Sequence, residues 1–258
     1  MDSFIAGELA LRYAPVAVLF AREKPPGCLQ FKERRWGCAM MMLLAAAKGR
    51  TAAFDRKTFG CWGGGVGLGL RQSYEGFPGG FEQFLSTGSP EREGERYKKD
   101  VALARDLVAN LKTFDVPAEV VVFKPLSQVD LARERPEVVV FFANPDQLSA
   151  LFTLAHYGRK GDQNAFIAFG AGCQQMLLFA FHEARSETPR AVVGLTDLTA
   201  RQFVDADLMG FAVPFALFQQ LEADAPESFL SRHTWREAIK PRVPAPDPET
   251  GEVKYRTR

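Results

Sequence analysis

Apolar residues in this chain follow two rhythms. Short, nearly unbroken apolar runs recur at Val16–Phe20, Glu119–Phe123, Glu137–Phe142, Ala165–Phe169 and Phe211–Pro214. Runs this short and this apolar predict strands buried within a sheet, with Thr51–Phe54 as a briefer one. The second rhythm has a period of three to four. Tyr97, Val101, Ala104, Val108 and Leu111 follow it, which predicts an amphipathic helix from Arg96 to Lys112. Cys38–Ala47 consists of good helix formers with no polar side, so it reads as a helix buried all round, stopped by Lys48-Gly49-Arg50. Asn144-Pro145 offers a cap and an early proline for a helix over Asp146–His156, ended by Gly158-Arg159. Further helices are expected over Gln175–Glu183 and Phe215–Ala223, and Thr196–Thr199 reads as a capped helix start. Strands alternating with helices predict an α/β or α+β fold.

The order of these elements repeats. An apolar strand, an apolar helix ending in Gly-Arg, a short strand and a Gly-Cys corner occur once up to Gly60-Cys61 and again up to Gly172-Cys173. A later strand closed by proline follows each time, at Pro125 and at Pro214. The expectation is an internal duplication: two similar halves, about 10–127 and 130–225, forming one compact unit over residues 1–240. Related by a pseudo-twofold, such halves place Cys61 and Cys173 in equivalent positions beside a groove, where pockets form readily. Residues Pro241–Arg258 are rich in proline and charge and read as a tail outside the core.

Composition narrows the function. The 258 residues are 47% apolar and 24% charged, ordinary for a folded soluble protein. A net charge of +1 supplies no long-range pull toward nucleic acid or anionic lipid, and neither is expected as a partner. The start of the chain lacks the pattern of a signal peptide, and no apolar run approaches the ~20 residues of a membrane span. A cytoplasmic address is the expectation. In a reducing compartment the four cysteines are free, metal-bound or redox-active rather than disulfide-bonded.

Several motifs are absent. The glycines from Gly63 to Gly69 form neither Gly-x-Gly-x-x-Gly nor a phosphate loop. His182-Glu183 has no second histidine at the zinc-protease spacing, and no Gly-x-Ser-x-Gly elbow occurs. With His156, His182 and His233 as the only histidines, a histidine-based metal site is thin.

The candidate chemistry lies in the cysteines. Cys38 heads a helix, where backbone N–H groups favour a thiolate, and Cys61 and Cys173 each follow a glycine at a corner. Three thiolates from separate segments are suited to an iron–sulfur cluster with one open iron, or to zinc with a fourth ligand. Cys28, in a Pro-Gly loop, is a candidate for that fourth place. The leading expectation is an iron–sulfur or other metal-binding protein of redox metabolism, with Cys38, Cys61 and Cys173 as ligands and a small-molecule ligand or redox partner. A second class is a non-catalytic module for a small anionic ligand or cofactor. It would use the glycine loop (Gly63, Gly64, Gly65), Arg50, Arg159 and Gln174 beside the second corner. A third class is a cysteine-nucleophile enzyme.

Several of these residues together resemble a known family: Pro15-Val16-Ala-Val, Cys38 before an alanine-rich helix ending Gly49-Arg50, Cys61 with Gly63-Gly64 and Leu68-Gly69, and Gly172-Cys173. The chain resembles the uncharacterised domain-of-unknown-function family 169 from about Leu9 to Leu221. The resemblance implies a single compact α/β unit and brings no established reaction. It also implies that Cys38, Cys61 and Cys173 occupy the family's cysteine positions and that Cys28 does not.

Overall fold

A computed structural model describes residues 1–244. The chain opens with a short helix, α1 (Phe4–Glu8), capped by the Ser3 side chain. Strand β1 (Val16–Ala21) follows, and helix α2 (Ala39–Ala47) begins directly after Cys38. After β2 (Ala52–Phe54) the glycine run forms helix α3 (Trp62–Gly67) rather than the expected loop. Glycine is a poor helix former, so this helix owes its existence to its cap and to tertiary packing. Next come α4 (Phe81–Leu85) and α5 (Val101–Ala109). The amphipathic pattern that pointed to Arg96 as the helix start is cut back because Arg96 has φ +57°, and Asp100 caps the helix that forms.

Strands β3 (Val120–Pro125) and β4 (Pro136–Ala143) precede helix α6 (Pro145–Tyr157), which Asn144 and Gln147 start with a reciprocal capping box. After β5 (Ala165–Ile167), Cys173 leads into a π-helical turn, Gln174–Leu178, that runs on into α7 (Phe179–Glu183). Strand β6 (Ala191–Gly194), too short to stand out in the sequence, is followed by α8 (Leu198–Arg201). The sheet ends with β7 (Met209–Pro214), and α9 (Phe215–Asp224) packs back on it.

One seven-stranded sheet in the order β2-β3-β1-β4-β7-β6-β5 organises all of this. Its pairs are antiparallel except β5 with β6. Alternating side chains feed two cores. Val18, Phe54, Phe123, Val140 and Phe142 face α2 and the Cys173 helix, while Leu19, Val122, Val139, Phe141 and Val213 face α6 and α9. The strands are therefore apolar on both sides, as their unbroken runs required. Helix α2 is not buried all round, since Met41 on its outer side is 40% exposed.

The duplication does not carry through the fold. β1 and β4 lie side by side and antiparallel at the centre, with β3 and β7 outside them. A rotation exchanging these pairs must run perpendicular to the sheet, and that axis keeps each face of the sheet on itself. Yet α2 covers one face and α6 the other, and β6 has no counterpart between β3 and β2. The halves share an order of elements but not a common placement of them.

Most of the tail, from residue 245, lies outside the described residues. Its start is tied down: Val243 is buried in the α6–α9 core, and Arg242 reaches Asp146 at 3.3 Å.

Candidate functional site

A cavity of about 880 Å³ opens on the α2 side of the sheet. One part of its wall comes from residues 34–111 and the other from residues 169–203. Cys38, Cys61 and Cys173 all line it, brought there from three separate segments. Cys38 precedes α2 and Cys61 precedes α3, so both thiols sit where backbone N–H groups lack helical acceptors. The Cys61 sulfur accepts a hydrogen bond from the Gly64 N–H at 3.2 Å. Cys173, buried, instead donates its S–H to the Gly63 carbonyl at 2.9 Å.

The glycines make this approach possible. A Cβ on Gly67 would fall 2.7 Å from both Cβ and Sγ of Cys173, so only glycine lets α3 lie against the second corner. At Gly63 a Cβ would sit 3.8 Å from the Cys173 sulfur and 3.9 Å from that of Cys61. The two sulfurs thus flank one point that glycine leaves empty.

Burial pushes the Cys38 thiol up to about 11, against the pull of the Met40 and Met41 N–H groups and with the help of nearby Cys61. Burial likewise raises Cys61, although Gly63 and Gly64 N–H groups oppose it, and holds Cys173 well above the ordinary thiol range. The Asp197 carboxylate adds to the rise at all three. With metal absent, these are neutral thiols at neutral pH. Asp197 is itself fixed: it accepts from the Gly172 N–H at 2.9 Å and caps α8 through Thr199.

The rest of the wall is aromatic. Tyr74 stacks on Phe81 with centroids 3.6 Å apart, Phe77 meets Trp62 and Phe84 edge-on or tilted, and Phe169 and Tyr97 close the other side. Gln174 ties the two sides together: its amide donates to the Tyr74 oxygen at 2.8 Å and its carbonyl accepts from the Ala171 N–H at 2.9 Å. Burial, with the neighbouring Cys173 and Cys61, keeps the Tyr74 hydroxyl protonated far above its usual range.

Of the residues singled out from sequence, Cys38, Cys61, Cys173, Gly63 and Gln174 line the cavity. Gly64 and Gly65 are buried within α3 behind it. Arg50 and Arg159 are elsewhere; Arg159 donates to the Pro189 carbonyl, and the cations at the cavity are Arg34 and Arg92. Cys28 packs against the core on the opposite face of the sheet, so it is no fourth ligand here. No histidine lines the cavity: His156 bonds to the Phe152 carbonyl and His182 to that of Lys112. Among the described residues no group of three or more His, Cys, Asp or Glu could hold a metal ion. Sequence reasoning missed Trp62, Tyr74, Phe77, Phe81 and Asp197. The available signal was aromatic density between Trp62 and Phe84: Tyr74, Phe77, Phe81 and Phe84 recur every three or four residues across a stretch broken by Gly76, Pro78, Gly79 and Gly80.

Residues 5–224 match the model of the DUF169 family, described as uncharacterised ArCR, and the chain belongs to that family. No curated protein and no solved structure matches it. Among the described residues no helix is long and apolar enough to cross a membrane.

Proposed function

We propose that this member of the DUF169 family binds a small, flat, largely apolar molecule in the cavity and presents the three thiols to it. The observation that carries this reading is the cavity itself. It has about 880 Å³ of space and aromatic walls drawn from segments far apart in sequence, with Cys38, Cys61 and Cys173 on them. A volume of this size, apolar walls and a few placed polar groups are the usual attributes of a ligand pocket. Gln174, Tyr74 and Asp197 supply polar groups beside the thiols, and Arg34, Arg92 and Glu95 supply charge. Gln174 and Asp197 are already hydrogen-bonded within the protein and Arg92 lies over the Phe77 and Phe84 rings, so they orient rather than attract. The binding energy in this reading comes from aromatic burial. Four free cysteines, with Cys38 and Cys61 only partly buried, fit a reducing compartment such as the cytoplasm.

Three tryptophans make the test internal. Trp36 and Trp62 line the cavity, and Trp235 is buried in the core of the opposite face. Titrating the iron-free protein with indole and with quinoline, the indole N–H signals of Trp36 and Trp62 should shift saturably while that of Trp235 stays still. No saturable shift, or an equal shift at Trp235, overturns the reading.

A further inference from the structure

Three thiols lining one cavity, two from one part of its wall and one from the other, exceed what packing asks of a chain. They are not paired in disulfides, and no histidine stands at the cavity to activate one as a nucleophile. Two of them, Cys38 and Cys61, stand at helix starts, where backbone N–H groups are near and lack helical acceptors. The Gly64 N–H donates to the Cys61 sulfur at 3.2 Å. N–H donors directed at ligating sulfur are the contacts by which a protein stabilises and tunes an iron–sulfur centre. Gly63 keeps side chains out of the space between the sulfurs of Cys61 and Cys173.

The described residues gather no group of three suited to one metal ion, which argues against a lone zinc. A cluster distributes its thiolates over several irons and so takes sulfurs set farther apart. Cys28, on the other face of the sheet, cannot complete a set of four.

We propose that Cys38, Cys61 and Cys173 hold a 4Fe–4S cluster whose fourth iron has no protein thiolate and faces the aromatic chamber. Each thiol gives its proton to water as its bond to iron forms. The cluster rests on the thiols alone. Its consequence for the ligand rests on the small-molecule reading: the flat molecule carries at one end a sulfur, oxygen or nitrogen donor that reaches the open iron.

The full chain, purified without oxygen, is incubated with sulfide and with iron that is half ferrous and half ferric, the electron count of the oxidised cluster, and then desalted. Wild type should turn brown and keep about four iron and four sulfide per chain. Cys28→Ala should load as wild type does, whereas Cys38→Ala and Cys61→Ala should each lose at least about half of the iron, as expected when a ligand is removed. Circular dichroism checks that the variants are folded. Gly63→Leu is the second variant: it retains every thiol but fills the space between two sulfurs, and it should fold without loading. Iron-free wild type, or Cys38→Ala and Cys61→Ala loading as fully as Cys28→Ala, overturns the cluster. Iron-free wild type whose Trp36 and Trp62 signals still respond to quinoline removes the cluster and leaves the chamber. A loaded protein whose iron-free form never responds removes the chamber and leaves the cluster.

Discussion

Gly60-Cys61 and Gly172-Cys173 are written with the same two residues and reach the cavity by different physics. Gly60 sits at φ +83°, and a Cβ there would fall 2.4 Å from the Gly37 carbonyl and 2.7 Å from the Phe31 ring. The first corner therefore depends on a backbone conformation as well as on space. Gly172 is not in the left-handed region, and its Cβ would meet the Ala200 Cβ at 2.9 Å; the second corner depends on space alone. Their sulfurs differ too. Cys61 accepts from Gly64, and Cys173 donates to Gly63, one residue from the acceptor's own partner. A ligand or iron at Cys61 can keep that N–H bond, while at Cys173 it must displace a proton already engaged. Similar letters mark equivalent destinations here, not equivalent construction.

The contrast predicts unequal costs for the same substitution. Gly60→Ala combines left-handed strain of about 1–2 kcal/mol with a steric conflict of about 1–3 kcal/mol, and should lose roughly 2–5 kcal/mol of stability. Gly172→Ala meets only the conflict, which the four-residue helix carrying Ala200 must shift to relieve, and should lose about 1–3 kcal/mol. Urea denaturation of the two variants measures the gap. Equal losses would break the comparison and return the corners to a common design.

A smaller effect concerns protons and sharpens the difference in burial. Burial holds Cys38 up to about 11 from an ordinary 9.0, and raises Cys61 and, further, Cys173. In the unfolded chain these thiols ionise first, so over that interval the native state holds more protons than the unfolded state. Stability is then whole below about pH 9 and drains as the pH climbs toward 11. The Cys38 shift alone should cost the iron-free protein on the order of 2 kcal/mol across this interval, with Cys61 and Cys173 adding in the same direction. Cys173→Ala should flatten the decline more than Cys61→Ala does, as followed by thermal melts. A decline as steep in the protein carrying both Cys61→Ala and Cys173→Ala as in wild type would assign the alkaline loss to other groups.

Much of this was legible beforehand, for identifiable reasons. The longer strands were readable because they are buried on both faces, so burial left no polar alternation to confuse them, as at Val138–Phe142, whereas β6 was too short to register. Helix α6 announced itself through Asn144 and Pro145, whose effects are local. The meeting of Cys38, Cys61 and Cys173 at one cavity was inferred from chemistry and corner placement, and the cavity contains all three. What failed was set at long range. Little local to Trp62–Gly67 favours a helix beyond the Cys61 cap; the close packing of Gly67 against Cys173 is set by residues far away in sequence. The choice of opposite sheet faces for α2 and α6 likewise depends on the path of the whole chain, so a repeated order of elements looked like a repeated structure. Arg50 and Arg159 were chosen for charge near a helix stop, and neither lines the cavity.

The smallest expected change in stability is the one that best separates folding from function at the two corners. Gly63 lies in the first turn of α3 without a positive φ, and its added Cβ would touch the Cys173 and Cys61 sulfurs and Ala171 at 3.8–4.0 Å, ordinary van der Waals distances. Alanine also restricts the unfolded chain and is the better helix former, so Gly63→Ala should stabilise the iron-free protein by about 0.4–1 kcal/mol. The same methyl group occupies the point that both sulfurs flank. If that point exists for packing, filling it is harmless in every assay. If the two corners converge in order to hold something between their thiols, the more stable variant should retain less iron than wild type after anaerobic loading, or bind quinoline more weakly when iron is left out. Denaturation and loading measured on one preparation decide between these outcomes, and a variant that gains stability while keeping full loading and full binding would leave Gly63 with a packing role only.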